Sequence, residues 1–365
     1  MNSLDIKPCL PLNANEYVKF FNAVHKKNSN YRDNFSSIIK DFLTGKIAFC
    51  QNNRLFPFFV YNGYRPLAVC IFIIAKKMPD ILQMAFFAAE EEAHEAVDLL
   101  MQKARELCSE NNIQKIVVGL NGSLSYGVGL LANNYEKRPG FGKICSPAYY
   151  FDFFTKYSPE TQSMTSIRQK LDDPVLLRFM DNPKSRHNII RCRKARFNNL
   201  REEIRTYVEL SNQSFMSHPF YYERDIQENY ELFAPFKTLL KEENLIFAED
   251  NGKPVGFLLW YPDYNELIAP GKGVGFSTFF KYKILKRPIK TFMYVEMAIL
   301  PDYQGSRVLM SLMKKCFSYV RNDFTWGETS WVFDSNKVSL QVSKKWTPVN
   351  STQYKVLLID ANNVR

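Results

Sequence analysis

The stretch from Val295 to Cys316 (VEMAILPDYQGSRVLMSLMKKC) carries the clearest chemical pattern in the chain. An apolar run of strand type stops at Pro301, which has no N–H to give to a sheet ladder. A polar turn containing Gly305 follows. Val308, Leu309, Leu312, Met313 and Cys316 then recur at three- and four-residue steps, the pattern of an amphipathic helix. Strand, tight turn and helix N-terminus in succession put unpaired N–H groups and a partial positive charge at the turn, which suits a phosphate. The same succession also describes a plain strand-to-helix connection, and the stretch alone leaves both readings open.

The elements around it are those of a soluble globular protein. A chain of 365 residues is long for one core and predicts two domains. Hydrophobic residues make up 46% and charged residues 23%, which excludes disordered and fibrous classes. No apolar run approaches the roughly 18 residues of a membrane-spanning helix, and the longest, Leu67 to Ala75, is strand-sized. The N-terminus lacks a basic region followed by an apolar one, so no signal peptide is expected. Seven dispersed cysteines and four histidines without ligand spacing predict reduced thiols, a cytoplasmic setting and no metal site. A formal charge of +11 favours acidic partners: nucleotide phosphates, nucleic acid or an anionic membrane surface. The 30 Phe and 20 Tyr residues are read mainly as a large core.

Taken in order, helical spacing covers Asn13 to Asn22 and Phe35 to Leu43. Strands are expected at Ile47 to Gln51, Phe56 to Tyr61, Leu67 to Ala75 and Met84 to Phe87, with Asn62-Gly63 as a hairpin turn. A helix over Glu91 to Asn111, a strand at Ile116 to Val118, a glycine-rich segment from Gly119 to Gly129 and a helix over Tyr149 to Lys156 follow. The second half repeats the grammar. It runs strand Asn188 to Arg193, helix Leu200 to Phe215, strand Leu245 to Glu249, turn Asn251-Gly252 and strand Val255 to Tyr261. The Val295 unit comes next, then strand Thr329 to Phe333, helix Ser335 to Lys345 and strand Tyr354 to Asp360. The order predicts a duplicated α/β architecture with a junction where Pro174 and Pro183 cluster.

This order resembles the GNAT superfamily of acyl-CoA-dependent N-acyltransferases, most closely in the second half. Phe247 to Phe257 resembles the family's second and third strands with their turn. Ile299 to Leu309 resembles its strand-to-helix signature, in which Gln304 and Gly305 match and Arg307 and Leu309 stand where glycines are usual. Asn336 and Lys345 sit where the family has an Asn-led helix ending near a lysine. Ser343 takes the place of a tyrosine often found there, and Thr347 that of a glycine. The whole chain is similar to little-characterised bacterial proteins of this length with two GNAT-like halves, through Gly256-Phe257, Pro262 to Asn265, Gly129 to Leu131 and Tyr149-Tyr150.

The resemblance implies an α/β (α+β) fold of two tandem domains, each a twisted, mixed, mostly antiparallel sheet flanked by helices. Residues 1–164 would form a degenerate domain without CoA, because three glutamates crowd its turn at Ala89 to Glu92. Residues 165–184 would be a junction, and 185–365 the domain with the acyl-CoA site. Acetyl-CoA or another acyl-CoA would lie along backbone groups of Ala298, Ile299 and Leu300. Its pyrophosphate would meet Gln304, Gly305, Ser306, Arg307, Val308 and Leu309, and Asn336 would bond the pantetheine arm or cap its own helix. Glu296, the one carboxylate on that strand, is the candidate base, acting directly or through water; Glu328 and Asp334 are weaker candidates. The acceptor would be a small-molecule or peptide amine.

Two other readings stay open. One is a GNAT-like binding protein without catalysis. The other is an aminoacyl-tRNA-dependent transferase, favoured by two basic clusters, the first from Lys184 to Arg201, and disfavoured by the remnant CoA turn. A second basic cluster, Lys281 to Lys290, alternates with Phe280, Tyr282, Ile284 and Leu285 and suggests peripheral contact with a lipid surface, an acidic substrate or the adenosine 3′-phosphate.

Overall fold

The computed structural model describes residues 4–181, 190–305, 307–337, 339–340 and 350–364. In chain order the elements are β1 (Leu4–Pro8), α1 (Ala14–His25), α2 (Ser36–Thr44), α3 (Ala48–Asn52), β2 (Arg54–Asn62), β3 (Arg65–Ala75), β4 (Met78–Ala89), α4 (His94–Glu110), β5 (Lys115–Val118), β6 (Leu130–Leu131) and α5 (Tyr150–Thr155). There follow β7 (Glu160–Lys170), α6 (Pro174–Asp181), β8 (Arg191–Lys194), α7 (Leu200–Phe215), α8 (Ile226–Phe233), β9 (Leu245–Asp250), β10 (Lys253–Pro262), α9 (Phe276–Phe279), β11 (Thr291–Ile299), α10 (Val308–Val320), β12 (Trp326–Thr329), β13 (Val332–Phe333) and β14 (Asn350–Asp360). They form mixed, mostly antiparallel sheet flanked by helices. Among the described residues no helix is long and apolar enough to cross a membrane.

The chain divides into two compact units: Met1–Met164 with Ala269–Gly273 and Thr352–Arg365, and Thr165–Ile268 with Val274–Ser351. The C-terminal strand, expected with the second half, thus packs with the first unit. There β14 pairs with β5 (Leu357 opposite Val118) and β6 (Tyr354 opposite Leu131). Gly129 holds a φ of 87°, and a Cβ there would lie 2.6 Å from Met164 and 2.8 Å from Tyr354, so this close packing within the first unit requires glycine.

In the first unit β1, β2, β3 and β4 run antiparallel and β5 joins β4 in parallel. The two-residue loop of the first hairpin is Gly63-Tyr64, one residue later than expected, since Asn62 pairs with Arg65 across it. Ile47 to Gln51, expected as a strand, is the helix α3. Phe49 is fully buried against Phe42 and Tyr126, and a short apolar run of this kind does not declare its period.

His25, on the last turn of α1, makes this unit sensitive to acid. Its Nδ1 lies 2.7 Å from the Phe21 carbonyl, and its ring stacks on Phe21 with centroids 4.1 Å apart. Burial outweighs that hydrogen bond and the charge of Asp33, and pulls its pKa from 6.5 down to about 4. Between those two values the unfolded chain takes up a proton that the folded chain refuses. Stability present at neutral pH is therefore lost as pH falls through this window. About 2–3 kcal/mol should disappear between pH 7 and pH 4, measured by urea unfolding, and this component should be absent in His25→Gln.

In the second unit β8, β9, β10 and β11 run antiparallel, β12 joins β11 in parallel, and the Arg168–Lys170 end of β7 closes the order antiparallel to β12. The second hairpin follows the sequence expectation. Asp250 pairs with Lys253, and Asn251 and Gly252 take φ of 49° and 78°, as a type I′ loop demands. Alternate residues of β9 face two different cores. Ile246 and Ala248 meet α10 residues Val308, Leu312 and Cys316, whereas Leu245 and Phe247 meet Ile204, Tyr207 and Val208 of α7. Burial on both faces is why the strand reads as a continuous apolar run.

Candidate active site

Strand β11 is the element that makes the site. Its parallel partner β12 follows it only from Thr291 to Tyr294, and β11 then continues to Ile299 with no strand on that edge among the described residues. Just beyond the last shared pair, the β10–β11 register shifts: Leu259 faces Glu296, but Trp260 faces Tyr294. Val295 is the extra residue of a β-bulge, a feature that bends a strand and re-aims its side chains.

The edge left open follows from ladder geometry. Leu300 N–H donates to the Val255 carbonyl at 3.0 Å. Alternation along an antiparallel pair then gives the peptide groups of Glu296 and Ala298 to β10 as well, and leaves those of Met297 and Ile299 on the open side. The expected trio of Ala298, Ile299 and Leu300 therefore divides. Only Ile299 faces the opening, with its carbonyl 3.3 Å from Gln304 Nε2. Met297, which the sequence reading passed over, is its companion. Gly256 lets the strands and α10 come this close, since a Cβ there would meet the Ala298 carbonyl at 2.7 Å and Val308 at 3.1 Å.

The turn after β11 is anchored at several points. Tyr303 Oη donates to Asp250 at 2.8 Å, Tyr303 N–H to Leu300 and Gln304 N–H to Pro301. Gln304 N–H is thus consumed within the turn and does not point at a ligand. Gly305 has a φ of 73° with nothing within 4 Å of a Cβ position, so it faces open space. Arg307 is the exposed residue just before α10, at its N-cap, where no side chain caps the helix. Val308 is fully buried, and Leu309, partly buried, packs against the core that holds Leu312 and Cys316. Of the two non-glycine residues of the signature, Leu309 thus belongs to the core and Arg307 is exposed at the helix N-cap. Ser306, Ser343, Lys345 and Thr347 lie outside the described residues.

On the α7 face of β11, Glu296 is embedded in a polar cluster that the sequence did not reveal. Tyr207 Oη donates to Glu296 Oε2, and Arg224 Nη1 lies 3.0 Å from Oε2 and 2.9 Å from Oε1. Arg224 also donates to Tyr207 Oη at 2.8 Å. Asn212 holds the Arg224 backbone at both ends: its Oδ1 accepts from Arg224 N–H at 2.7 Å and its Nδ2 donates to the Arg224 carbonyl at 3.1 Å. Burial opposes the Arg224 charge, but the Glu296 carboxylate and the phenols of Tyr207 and Tyr221 more than offset it and hold its pKa above the ordinary value. Burial pushes Tyr207 up, Arg224 opposes this, and Glu296 adds to it. Burial likewise lowers His218, against the pull of Glu296. The one sequence signal for this cluster is the four-residue step from Tyr207 to Ser211 on α7, where Ser211 Oγ donates to the Tyr207 carbonyl.

The remaining expected residues are placed as follows. Asn336 Oδ1 accepts from Ser339 N–H at 3.1 Å, a helix-capping contact. Asp334 accepts from Thr165 Oγ1 at 2.8 Å, and Glu328 pairs opposite Met293 in the β11–β12 ladder. In the basic cluster before α7, Arg193 and Arg196 neutralise Glu203, which is 2% exposed, and Arg193 also binds Glu249 at 2.6 Å. Those arginines serve the fold, which removes much of the ground for reading that cluster as a nucleic-acid surface.

No sequence-family model matches the chain, and no curated protein sequence does. Solved structures match it over nearly its whole length. A tandem GNAT protein from the clavulanic acid biosynthesis pathway is similar at TM-score 0.54 and 10% identity, over 98% of this chain and 99% of that one. The chain has the tandem GNAT fold. A GCN5-related N-acetyltransferase from Sphaerobacter thermophilus matches at TM-score 0.54 and 9% identity, over 98% and 96% of the two chains. A probable N-acyltransferase of Enterococcus faecalis V583 matches at 0.55 and 9%, over 98% of this chain and 73% of that one. Within this GNAT fold β11 is the central strand of the second unit and β4 its counterpart in the first.

The two GNAT units differ at that strand. In the first, β5 follows β4 only to Met84, but side chains lace the edge beyond. Phe86 N–H donates to Asn121 Oδ1 at 2.8 Å and Tyr149 donates to the Ala89 carbonyl at 2.9 Å, while the Gln83 side chain, within the paired stretch, exchanges two hydrogen bonds with Gly122. The following turn carries Glu90, which binds Lys27 and Arg65.

Proposed function

We propose that the second unit binds an acyl-CoA along the open edge of β11 and transfers its acyl group to an amine. The observation that carries this reading is the loss of the β12 partner after Tyr294, while β11 runs on to Ile299 and into the N-terminus of α10. An extended pantetheine arm can take the hydrogen bonds that a neighbouring strand would have made, through Met297 and Ile299. The α10 N-terminus suits the pyrophosphate, with the Arg307 guanidinium beside it for phosphate pairing. Gly305 and Leu309 leave room there, so the residues present fit the group. Asn336, besides capping its helix, is assigned to the arm. When bound, acyl-CoA supplies the activated thioester carbonyl.

The residues of the chain supply the rest. Tyr207 and Arg224 fix the Glu296 carboxylate on the α7 side of the strand. There we assign it the proton of the acceptor amine, received directly or through a water. The first unit, with its β4 edge laced by Asn121 and Tyr149 and three glutamates at its turn, acts in this reading as a scaffold without CoA. Acceptor size and acyl length belong to the substrate class rather than to any one residue: a small-molecule or peptide amine, and acetyl or a longer acyl group.

Titration of the protein with acetyl-CoA and longer acyl-CoAs, followed by thermal unfolding, tests the binding. Ligand at a hundred times its Kd should add about 2.7 kcal/mol to the stability of the native state. No shift with any acyl-CoA at millimolar concentration would leave the alternative, a GNAT-fold binding protein without catalysis. Glu296→Gln is expected to lower kcat by about 10²–10⁴-fold with the acyl-CoA Kd unchanged. An unaltered kcat would remove Glu296 from the chemistry.

A further inference from the structure

The insertion between β10 and β11 turns an apolar face to water. It comprises α9 and the single π-helical turn Phe280–Ile284. One side is fixed to the unit: Thr278 is 2% exposed, the Tyr282 ring lies 5.3 Å from that of buried Tyr264, and Lys281 Nζ donates to the Leu267 carbonyl at 2.8 Å. The other side carries Phe276, Phe280 and Ile284 at four-residue steps, continued by Leu285. These are 81%, 41%, 58% and 50% exposed. The rings of Phe276 and Phe280 stack on each other at 6.4 Å. Scattered apolar residues on a surface need no explanation, but large ones gathered on one anchored segment mark an interaction site.

Cations lie within and just after the segment: Lys283, Lys286, Arg287 and Lys290. Among the described residues no carboxylate pairs with the last three. Of the acidic groups nearby, Glu266 accepts from the Lys290 backbone N–H at 2.7 Å and Glu243 pairs with Lys241 at 3.7 Å. Lys286 has a φ of 49°, which ends the helical segment and turns the basic run away from it.

We propose that this segment docks the protein on an anionic lipid surface. Phe276, Phe280, Ile284 and Leu285 enter the interfacial layer, and Lys286, Arg287 and Lys290 meet lipid phosphates. Charge selects a lipid surface over a second copy of the chain. A face-to-face pair would press like-charged rims together in a protein that already carries +11. A wedge of this size joined to a basic patch gives reversible peripheral binding. The proposal does not depend on the acyl-transfer reading.

Co-sedimentation with phosphatidylcholine vesicles containing about one-third phosphatidylglycerol, and with phosphatidylcholine alone, tests it. The full chain should bind the anionic vesicles, release as salt rises, and ignore the neutral ones. Phe276→Ser/Ile284→Ser and Lys286→Glu/Arg287→Glu should each weaken binding by at least about tenfold. Both leave the Thr278 and Tyr282 anchor intact, which an unchanged thermal melt verifies. No binding of the unaltered chain to anionic vesicles, or binding undiminished in both variants, overturns the proposal. So does a dimer in sedimentation equilibrium that Phe276→Ser/Ile284→Ser abolishes, because the face would then belong to a second copy.

Discussion

Arg224→Met should destabilise the second unit by about 3–5 kcal/mol, the cost of leaving a buried carboxylate without its counter-charge. Arg224 and Glu296 have side chains only 11% and 17% exposed, and the guanidinium touches both carboxylate oxygens. Removing it strands Glu296 beside Tyr207, which can donate to only one of those oxygens. The double variant Arg224→Met/Glu296→Gln should recover most of the loss, because no isolated charge then remains buried. Urea unfolding of the single and double variants measures both effects. A loss under about 1 kcal/mol in Arg224→Met would mean that water reaches the pair and that it behaves as a surface ion pair.

Met297→Pro and Ala298→Pro, one residue apart on β11, should fail in opposite ways. Proline removes one N–H. At Met297 that N–H faces the open edge, so β10 keeps its ladder, and the fold should survive with acyl-CoA binding weakened about tenfold, the worth of one lost hydrogen bond. At Ala298 the N–H belongs to the pairing with Phe257, so a carbonyl in the middle of the sheet loses its donor. That change should cost about 3 kcal/mol of stability. Thermal melts with and without acyl-CoA separate the two. If Met297→Pro binds acyl-CoA as tightly as the unaltered chain, the ligand does not lie along this edge.

The pattern of residues made much of this architecture legible. Two-residue periodicity with Asn251-Gly252 announced a hairpin whose loop takes two positive φ values, because that dipeptide tolerates them with little strain. Three- and four-residue steps announced α7 and α10, since each helix buries one stripe. Other elements were not legible. Ile47 to Gln51 has too few residues to show a period and became α3. The first hairpin moved its loop one residue along, to Gly63-Tyr64, where the β2–β3 register bulges between Val60 and Tyr61.

By itself the sequence determined much of the local grammar: the long strands and helices that show a clear period, that the grammar occurs twice, and that a strand leads through Gly305 into a helix. These are matters of backbone preference and of which face of an element is apolar, and they are written within a few residues. Tertiary structure alone decided that β12 leaves β11 after Tyr294, that Met297 rather than Ala298 or Leu300 faces the gap with Ile299, and that Glu296 meets Arg224 and Tyr207. A strand edge is open or closed according to a partner far along the chain. A carboxylate reads the same in sequence whether it is solvated or locked against a guanidinium. Only packing brings Arg224 to Glu296, and the cost of burying either charge alone keeps them together.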